Sequence, residues 1–195
     1  MNLANKITIT RILLIPIFLI CISIKHIPYG TTIATLIFII AALTDSLDGY
    51  IARSRKQVTN LGKFMDPLAD KLLVTTALIV LVGFKMIPGW ITIIIISREL
   101  AVTGLRAIAA AEGRVIAASN WGKAKTVTQI IAIVFALINL DRGYTALVSL
   151  TNLPTFDKFV SLMTNTTIAI ALIITIISGV DYFIKNKDAI RLDTN

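Results

Sequence analysis

Residues 166–184 read TTIAIALIITIISGVDYFI, an apolar run whose single charged residue, Asp181, comes near its far end. A helix needs about 20 predominantly apolar residues to cross a bilayer, and this stretch has that length and composition. Five further runs of the same kind precede it. They extend from about Ile7 to Ile27, with a kink expected at Pro16, from Thr31 to Arg53, from Pro67 to Phe84, from Ile87 to Ala111, and from Lys125 to Leu140. The sequence therefore predicts an all-α integral membrane protein with six transmembrane helices. Little chain is left over for a soluble domain, and residues 1–195 are expected to form a single membrane domain. The first run has the length of a span and no small-residue cleavage site after it, so it is expected to be retained.

Composition leads to the same class. Of the 195 residues, 56% are hydrophobic and 15% charged, with mean hydropathy +0.83. A soluble domain carries about 25% charge, so this chain has too few charges to coat a globule and too many apolar residues to stay disordered. A single cysteine, Cys21, excludes a disulfide within the chain and a multi-thiolate zinc site. The net charge of +8 in so apolar a chain indicates an anionic membrane surface, not nucleic acid.

Positive charge also sets the expected topology. With the N-terminus inside, fifteen of the 19 Lys and Arg residues fall on the inner side, and only Lys25, Lys85, Arg142 and Lys158 fall outside. Cytoplasmic loops carry such an excess, so both termini are expected in the cytoplasm. Arg98 and Arg106 interrupt an apolar run and should be buried in the bundle or line a cavity.

Acidic side chains at membrane depth are costly and face a partner or a water-filled cavity. Four of the 11 acidic residues lie close together, at Asp45, Asp48, Asp66 and Asp70. Asp45 and Asp48 are spaced i,i+3 and Asp66 and Asp70 i,i+4, so each pair shares one face of a helix. Asp66-Pro67 reads as an N-cap followed by proline at the first helical position. A short loop between the two helices would turn the pairs toward each other at the cytoplasmic end. Four converging carboxylates repel unless protonated or neutralised. Hard divalent ions such as Mg²⁺ or Mn²⁺ take all-oxygen ligands, and four carboxylates suffice for two ions. Two-metal sites suit in-line displacement at phosphorus. A solvated acidic surface is the alternative for either pair alone. Gly49, Ala52 and Gly62 clear space beside the carboxylates, and Arg53 supplies a forked donor for phosphate oxygens.

The complete pattern, Asp45-x2-Asp48-Gly49-x2-Ala52-Arg53-x8-Gly62-x3-Asp66-x3-Asp70, resembles the signature of the CDP-alcohol phosphotransferase family at all eight positions. That family is a six-helix membrane fold whose members commonly form homodimers. The resemblance implies that Asp45, Asp48, Asp66 and Asp70 hold two Mg²⁺ or Mn²⁺ ions and that Asp70 is also the general base. It places a CDP moiety against Gly49 and Gly62 and near Asp48 and Arg53, and it implies a multi-pass protein of the inner (cytoplasmic) membrane whose active site faces the cytoplasm. Asn5, Thr8 and Arg11 share one helical face. Asn5 and Thr8 are candidates for contact with the nucleotide, with a cap or interfacial anchor as the other reading of Thr8.

Further stretches narrow the acceptor. Residues 5–11, NKITITR, and 62–71, GKFMDPLADK, together with Ser97-Arg98-Glu99, Thr103-Gly104-Leu105-Arg106 and residues 122–126, GKAKT, are similar to the subfamily that joins CDP-diacylglycerol to sn-glycerol 3-phosphate. Arg98, Arg106, Arg114, Lys123 and Lys125 form a basic cluster suited to a phosphate monoester, which arginine binds bidentately. Anchoring to lipid headgroups is the other reading of Lys123 and Lys125, and an ion pair with Glu99 is a further reading of the arginines. An inositol phosphate acceptor would also fit a basic pocket. A divalent-cation transporter is disfavoured, because the carboxylates cluster at one end and the basic residues would repel a cation. His26 is expected at the outer interface, Trp90 and Trp121 at span ends, Asp181 in a pair with Lys185, and residues 141–158 in the longest outer loop.

Overall fold

The computed structural model describes residues 3–24, 27, 29–54, 60–111, 119–144 and 154–186; within those ranges the side chains of residues 3–7, 45–54, 60–67, 70, 111, 142–144, 154 and 155 are outside the description. The described chain is all-helical. Six helices follow in order: α1 (Leu3–Ser23), α2 (Gly30–Ser54), α3 (Asn60–Gly83), α4 (Gly89–Ala111), α5 (Asn120–Tyr144) and α6 (Pro154–Lys185).

The helices are long because nothing in their apolar rows stops them, and the tight connections show what does. After α3, Lys85 takes a left-handed conformation (φ 60°). The Met86 amide then donates to the Leu81 carbonyl and the Lys85 amide to the Val82 carbonyl, each at 2.9 Å. These two bonds are the Schellman pattern, which caps carbonyls at a helix C-terminus. Between α1 and α2, Tyr29 is left-handed (φ 58°) and Gly30 sits so close to the Cys21 carbonyl oxygen that a Cβ there would collide with it. At the start of α5, the Ser119 hydroxyl accepts from the Gly122 amide at 3.1 Å, an N-cap bond.

The core joins α1, α2, α3 and α5 through Phe18, Phe38, Leu78, Leu81, Ile133 and Leu137, all fully buried. Phe18 and Phe38 meet with ring centroids 6.3 Å apart. Alanines at 34, 41, 77, 132, 136 and 171 are buried in the same cluster, and such small residues let helix backbones approach closely. Polar bonds cross the bundle as well: Thr32 donates to Asp141 at 2.9 Å, and Thr164 donates to the Phe135 carbonyl at 3.1 Å.

Polarity is distributed against the rule for a globule. Thr8, Arg11, Lys125, Gln129, Asp141, Thr164, Thr175 and Ser178 are buried, while Leu13, Leu43, Ile93, Leu100, Leu162, Ile173 and Ile184 are exposed. Exposed apolar surface on this scale marks contact with lipid or another apolar partner. Among the described residues, two helices are long and apolar enough to cross a membrane on length and composition, over Asn120–Asp141 and Phe156–Lys185. Shorter apolar stretches among the described residues lie at Thr8–Ser23, Gly30–Thr44 and Lys71–Gly83. α4 carries internal charges at Arg98, Glu99 and Arg106.

Several boundaries differ from the sequence reading. α1 begins and ends about four residues early and continues through Pro16. α3 begins at Asn60, so Asp66 is inside the helix and does not cap it. Pro67 forgoes one backbone bond, to the Lys63 carbonyl, without ending the helix. α5 and α6 extend well into the expected 141–158 loop, α5 to Tyr144 and α6 back to Pro154. Polar residues such as Thr155, Asp157 and Lys158 hid that extension from a reading based on apolar runs. His26 lies outside the described residues.

Candidate active site

The carboxylate pairs lie where α2 ends and α3 begins. On α2, Asp45, Asp48, Gly49 and Ala52 share one face; on the unbroken α3, Gly62, Asp66 and Asp70 recur every four residues along one face. Residues 55–59 connect the two helices, which holds Ser54 and Asn60 within about 20 Å of each other. The side chains of Asp45, Asp48, Arg53, Asp66 and Asp70, and that of Asn5, lie outside the described residues, as do the surroundings of Gly49 and Gly62. Arg114 is also outside. Among the described residues no three acidic, histidine or cysteine side chains gather. The donor set, four carboxylates and no sulfur or imidazole, fits Mg²⁺ or Mn²⁺.

A cavity of about 420 Å³ lined by several charged side chains opens next to this region. It is built from four helices at the same end of the bundle. α3 contributes Lys71, the residue after Asp70. α4 contributes Arg98, Glu99, Val102, Thr103 and Arg106, α5 begins in its wall with Ser119, Gly122, Lys123 and Lys125, and α6 adds Tyr182. Four of the five basic residues expected to cluster are thus brought together, and Arg98 and Arg106 line a cavity as the interrupted apolar run implied. The first turn of α5 faces it too, and the positive end of a helix dipole favours anions.

Glu99 organises the cations. Its carboxylate is bonded to Lys125, lies 3.3 Å from the Lys71 ammonium and 3.6 Å from the Arg98 guanidinium. One acidic residue on α4 therefore ties α3 and α5 together and fixes Arg98 on its own helix. The ion-pair reading of Arg98 and the cavity reading both hold. Arg98 is fixed a second time by α6, where its Nη2 donates to Ser178 at 2.5 Å. Gly179 makes that approach possible, since a Cβ there would stand 3.2 Å from the Arg98 side chain.

Other expectations divide. Thr8 is buried, with 1% exposure, and sits five residues inside α1, so it is not a helix cap. Asp181 and Lys185 pair at 2.7 Å, with Lys185 mostly exposed. Trp90 and Trp121 are exposed near the first turns of α4 and α5, at opposite ends of the bundle. The basic-cluster reading missed Lys71, Ser178 and Tyr182. A signal for the last two was present in Ser178-Gly179 and Tyr182, a polar and small-residue interruption of an aliphatic span.

Fold and site define a helical protein of membrane type with an anion pocket next to two acidic pairs. A family model described as CDP-alcohol phosphatidyltransferase matches residues 1–177, and the chain belongs to that family. A Bacillus subtilis protein named CDP-diacylglycerol–glycerol-3-phosphate 3-phosphatidyltransferase is 44% identical, over 97% of this chain and 97% of its own length. A Haemophilus influenzae protein of the same name is 45% identical over 68% of this chain and 73% of its own length. A Mycobacterium tuberculosis protein named probable phosphatidylglycerophosphate synthase is 37% identical over 93% of this chain and 79% of its own length.

Proposed function

We propose that this chain transfers the phosphatidyl group of CDP-diacylglycerol to sn-glycerol 3-phosphate, giving phosphatidylglycerophosphate and CMP. The observation that carries the acceptor is the cavity lined by Lys71, Arg98, Arg106, Lys123 and Lys125. One carboxylate, Glu99, faces these five basic residues, and an uncharged alcohol such as inositol has no use for the remaining positive charge. The Bacillus subtilis relative carries this activity in its name and matches over 97% of the chain.

In this reading Asp45, Asp48, Asp66 and Asp70 hold two divalent ions, which would neutralise charge building on the pyrophosphate. Gly49 and Gly62 leave room for the CDP moiety, with Asn5, Thr8, Asp48 and Arg53 lining its site. The cavity residues, joined by Arg114, orient the acceptor by its phosphate. Asp70 takes the proton from the acceptor hydroxyl as that oxygen bonds to the lipid-bearing phosphorus. The bond from this phosphorus to the oxygen bridging it to CMP breaks, and CMP leaves. Lys71 couples the two halves, because it follows the base in sequence and lines the acceptor cavity. Positioning does most of this work, since a metal-binding carboxylate is a weak base.

The protein is further proposed to be a single domain that crosses the inner membrane six times, with both termini and the active site at the cytoplasmic face. The fifteen-to-four charge bias supports that orientation. A homodimer is proposed from the family. Inositol phosphate as acceptor is the second reading, favoured by the same cavity.

The test is CMP release by purified protein in detergent with CDP-diacylglycerol and Mg²⁺ or Mn²⁺. Glycerol 3-phosphate, inositol phosphate, inositol and serine are offered separately. Release with glycerol 3-phosphate alone is expected; release only with another alcohol overturns the acceptor.

A further inference from the structure

We propose that the Tyr182 hydroxyl donates a hydrogen bond to the phosphate of the bound acceptor, making it a binding residue that the basic cluster does not include. The proposal rests on the phosphorylated-acceptor reading above.

Tyr182 lines the cavity and is only 4% exposed. Its ring belongs to a small buried cluster with Val102 and Leu105 of α4, which fixes where the hydroxyl sits. That hydroxyl is buried and has no hydrogen-bond partner among the described residues. Buried polar groups are nearly always bonded, and an unmade bond costs more than a made one returns.

The neighbours show what kind of partner is missing. Arg98 and Arg106 are close enough to Tyr182 to interact with it electrostatically, and a guanidinium can only donate. Arg98 itself has a buried Nε without a partner among the described residues, while its Nη2 is engaged by Ser178, one helical turn before Tyr182. Of the carboxylates, Glu99 is shared among Lys71, Arg98 and Lys125, and Asp181, the residue before Tyr182, is paired with Lys185 and makes no bond to the Tyr182 hydroxyl. The corner between α4 and α6 is therefore rich in donors and short of an acceptor. An oxyanion with several lone pairs completes it: one phosphate oxygen can take the Tyr182 proton while others meet the arginines.

The experiment compares wild type with Tyr182→Phe, which keeps the ring and removes only the hydroxyl. Initial rates are measured against glycerol 3-phosphate at saturating CDP-diacylglycerol, and thermal unfolding is followed with and without inorganic phosphate. A lost bond to a charged group is worth about tenfold or more in affinity. The variant should therefore show a KM for glycerol 3-phosphate raised by about that factor, with kcat and the KM for CDP-diacylglycerol changed less than twofold. Without phosphate its Tm should equal or exceed that of wild type, because no protein partner is lost; the stabilisation by phosphate should shrink. An unchanged KM, a fall in kcat alone, or a lower Tm with undiminished phosphate stabilisation each overturns the role. The phosphate shift needs no turnover, so it separates this proposal from the choice of acceptor: if wild type rejects glycerol 3-phosphate yet loses phosphate stabilisation on Tyr182→Phe, the acceptor assignment fails and the hydroxyl's role stands. No phosphate shift in wild type overturns the proposal.

Discussion

The ammonium of Lys125 on α5 is bonded to the carboxylate of Glu99 on α4, and Lys125 is 5% exposed. A buried cation of this kind depends on its partner. Removing one member of a buried pair costs a few kcal/mol because the other charge is left uncompensated. Glu99 also holds Lys71 and Arg98, but the cavity admits water, which softens the penalty. Glu99→Gln is expected to cost about 2 kcal/mol and to lower Tm by about 5 °C, with CMP release down about tenfold. Adding Lys125→Met removes one of the three cations that Glu99 balances and should restore part of the Tm but not the activity. Thermal unfolding and CMP release of the two single variants and the double variant decide this.

Lys123 has no ion pair among the described residues and lines the same cavity, which leaves its charge for a ligand. Lys123→Ala is expected to raise the KM for glycerol 3-phosphate about tenfold, the value of one charge-assisted bond. The KM for CDP-diacylglycerol should stay within twofold. A role limited to lipid headgroups would leave both constants unchanged in detergent. Rate measurements with each substrate varied in turn separate the outcomes.

The acidic quartet predicts metal dependence of a specific kind. Chelation by EDTA should abolish CMP release by wild type, and Mg²⁺ or Mn²⁺ should restore it. In the proposed roles Asp70 is both a metal ligand and the base, so Asp70→Asn would remove both, and general-base catalysis alone contributes about 10²–10⁴-fold. Its activity is expected to fall by at least about 10³-fold and not to return at high metal concentration. Asp45→Asn keeps the base, so excess metal should rescue it in part. Metal titrations of the three proteins distinguish ligand from base.

How much of this could be read from the residues depended on the kind of signal. The six helices followed from apolar runs, because lipid-facing surface leaves long aliphatic stretches. Their ends did not follow. Asp66-Pro67 has the form of a helix start, yet α3 begins at Asn60, since a proline can sit inside a helix at the loss of one backbone bond. The signature spacing of the aspartates was legible without a structure. So was the basic cluster, because arginines within an apolar run need a cavity. Glu99 as a hub for three cations from three helices was not legible, nor was Tyr182, since both depend on helix packing that brings positions far apart in the chain together.

A final prediction concerns stability at the other end of the bundle. Lys85 occupies the left-handed position of a Schellman cap (φ 60°), closed by the Met86 and Lys85 amides. A residue with a Cβ pays about 1–2 kcal/mol for that conformation, and glycine does not. Glycine gives back part of this through a more flexible unfolded chain. Lys85→Gly is therefore expected to stabilise by about 0.5–1 kcal/mol, which is about 2 °C in Tm. Gly30 is the opposite case: its missing Cβ would collide with the Cys21 carbonyl oxygen, a backbone atom that cannot rotate away. Gly30→Ala should cost about 1–3 kcal/mol, because the α1–α2 connection has to open. Lys85 precedes α4, at the end opposite to Arg98 and Arg106, so Lys85→Gly should leave CMP release unchanged. A loss of activity in that variant would show that this turn is coupled to the pocket, and an unchanged Tm would show that the cap is not strained.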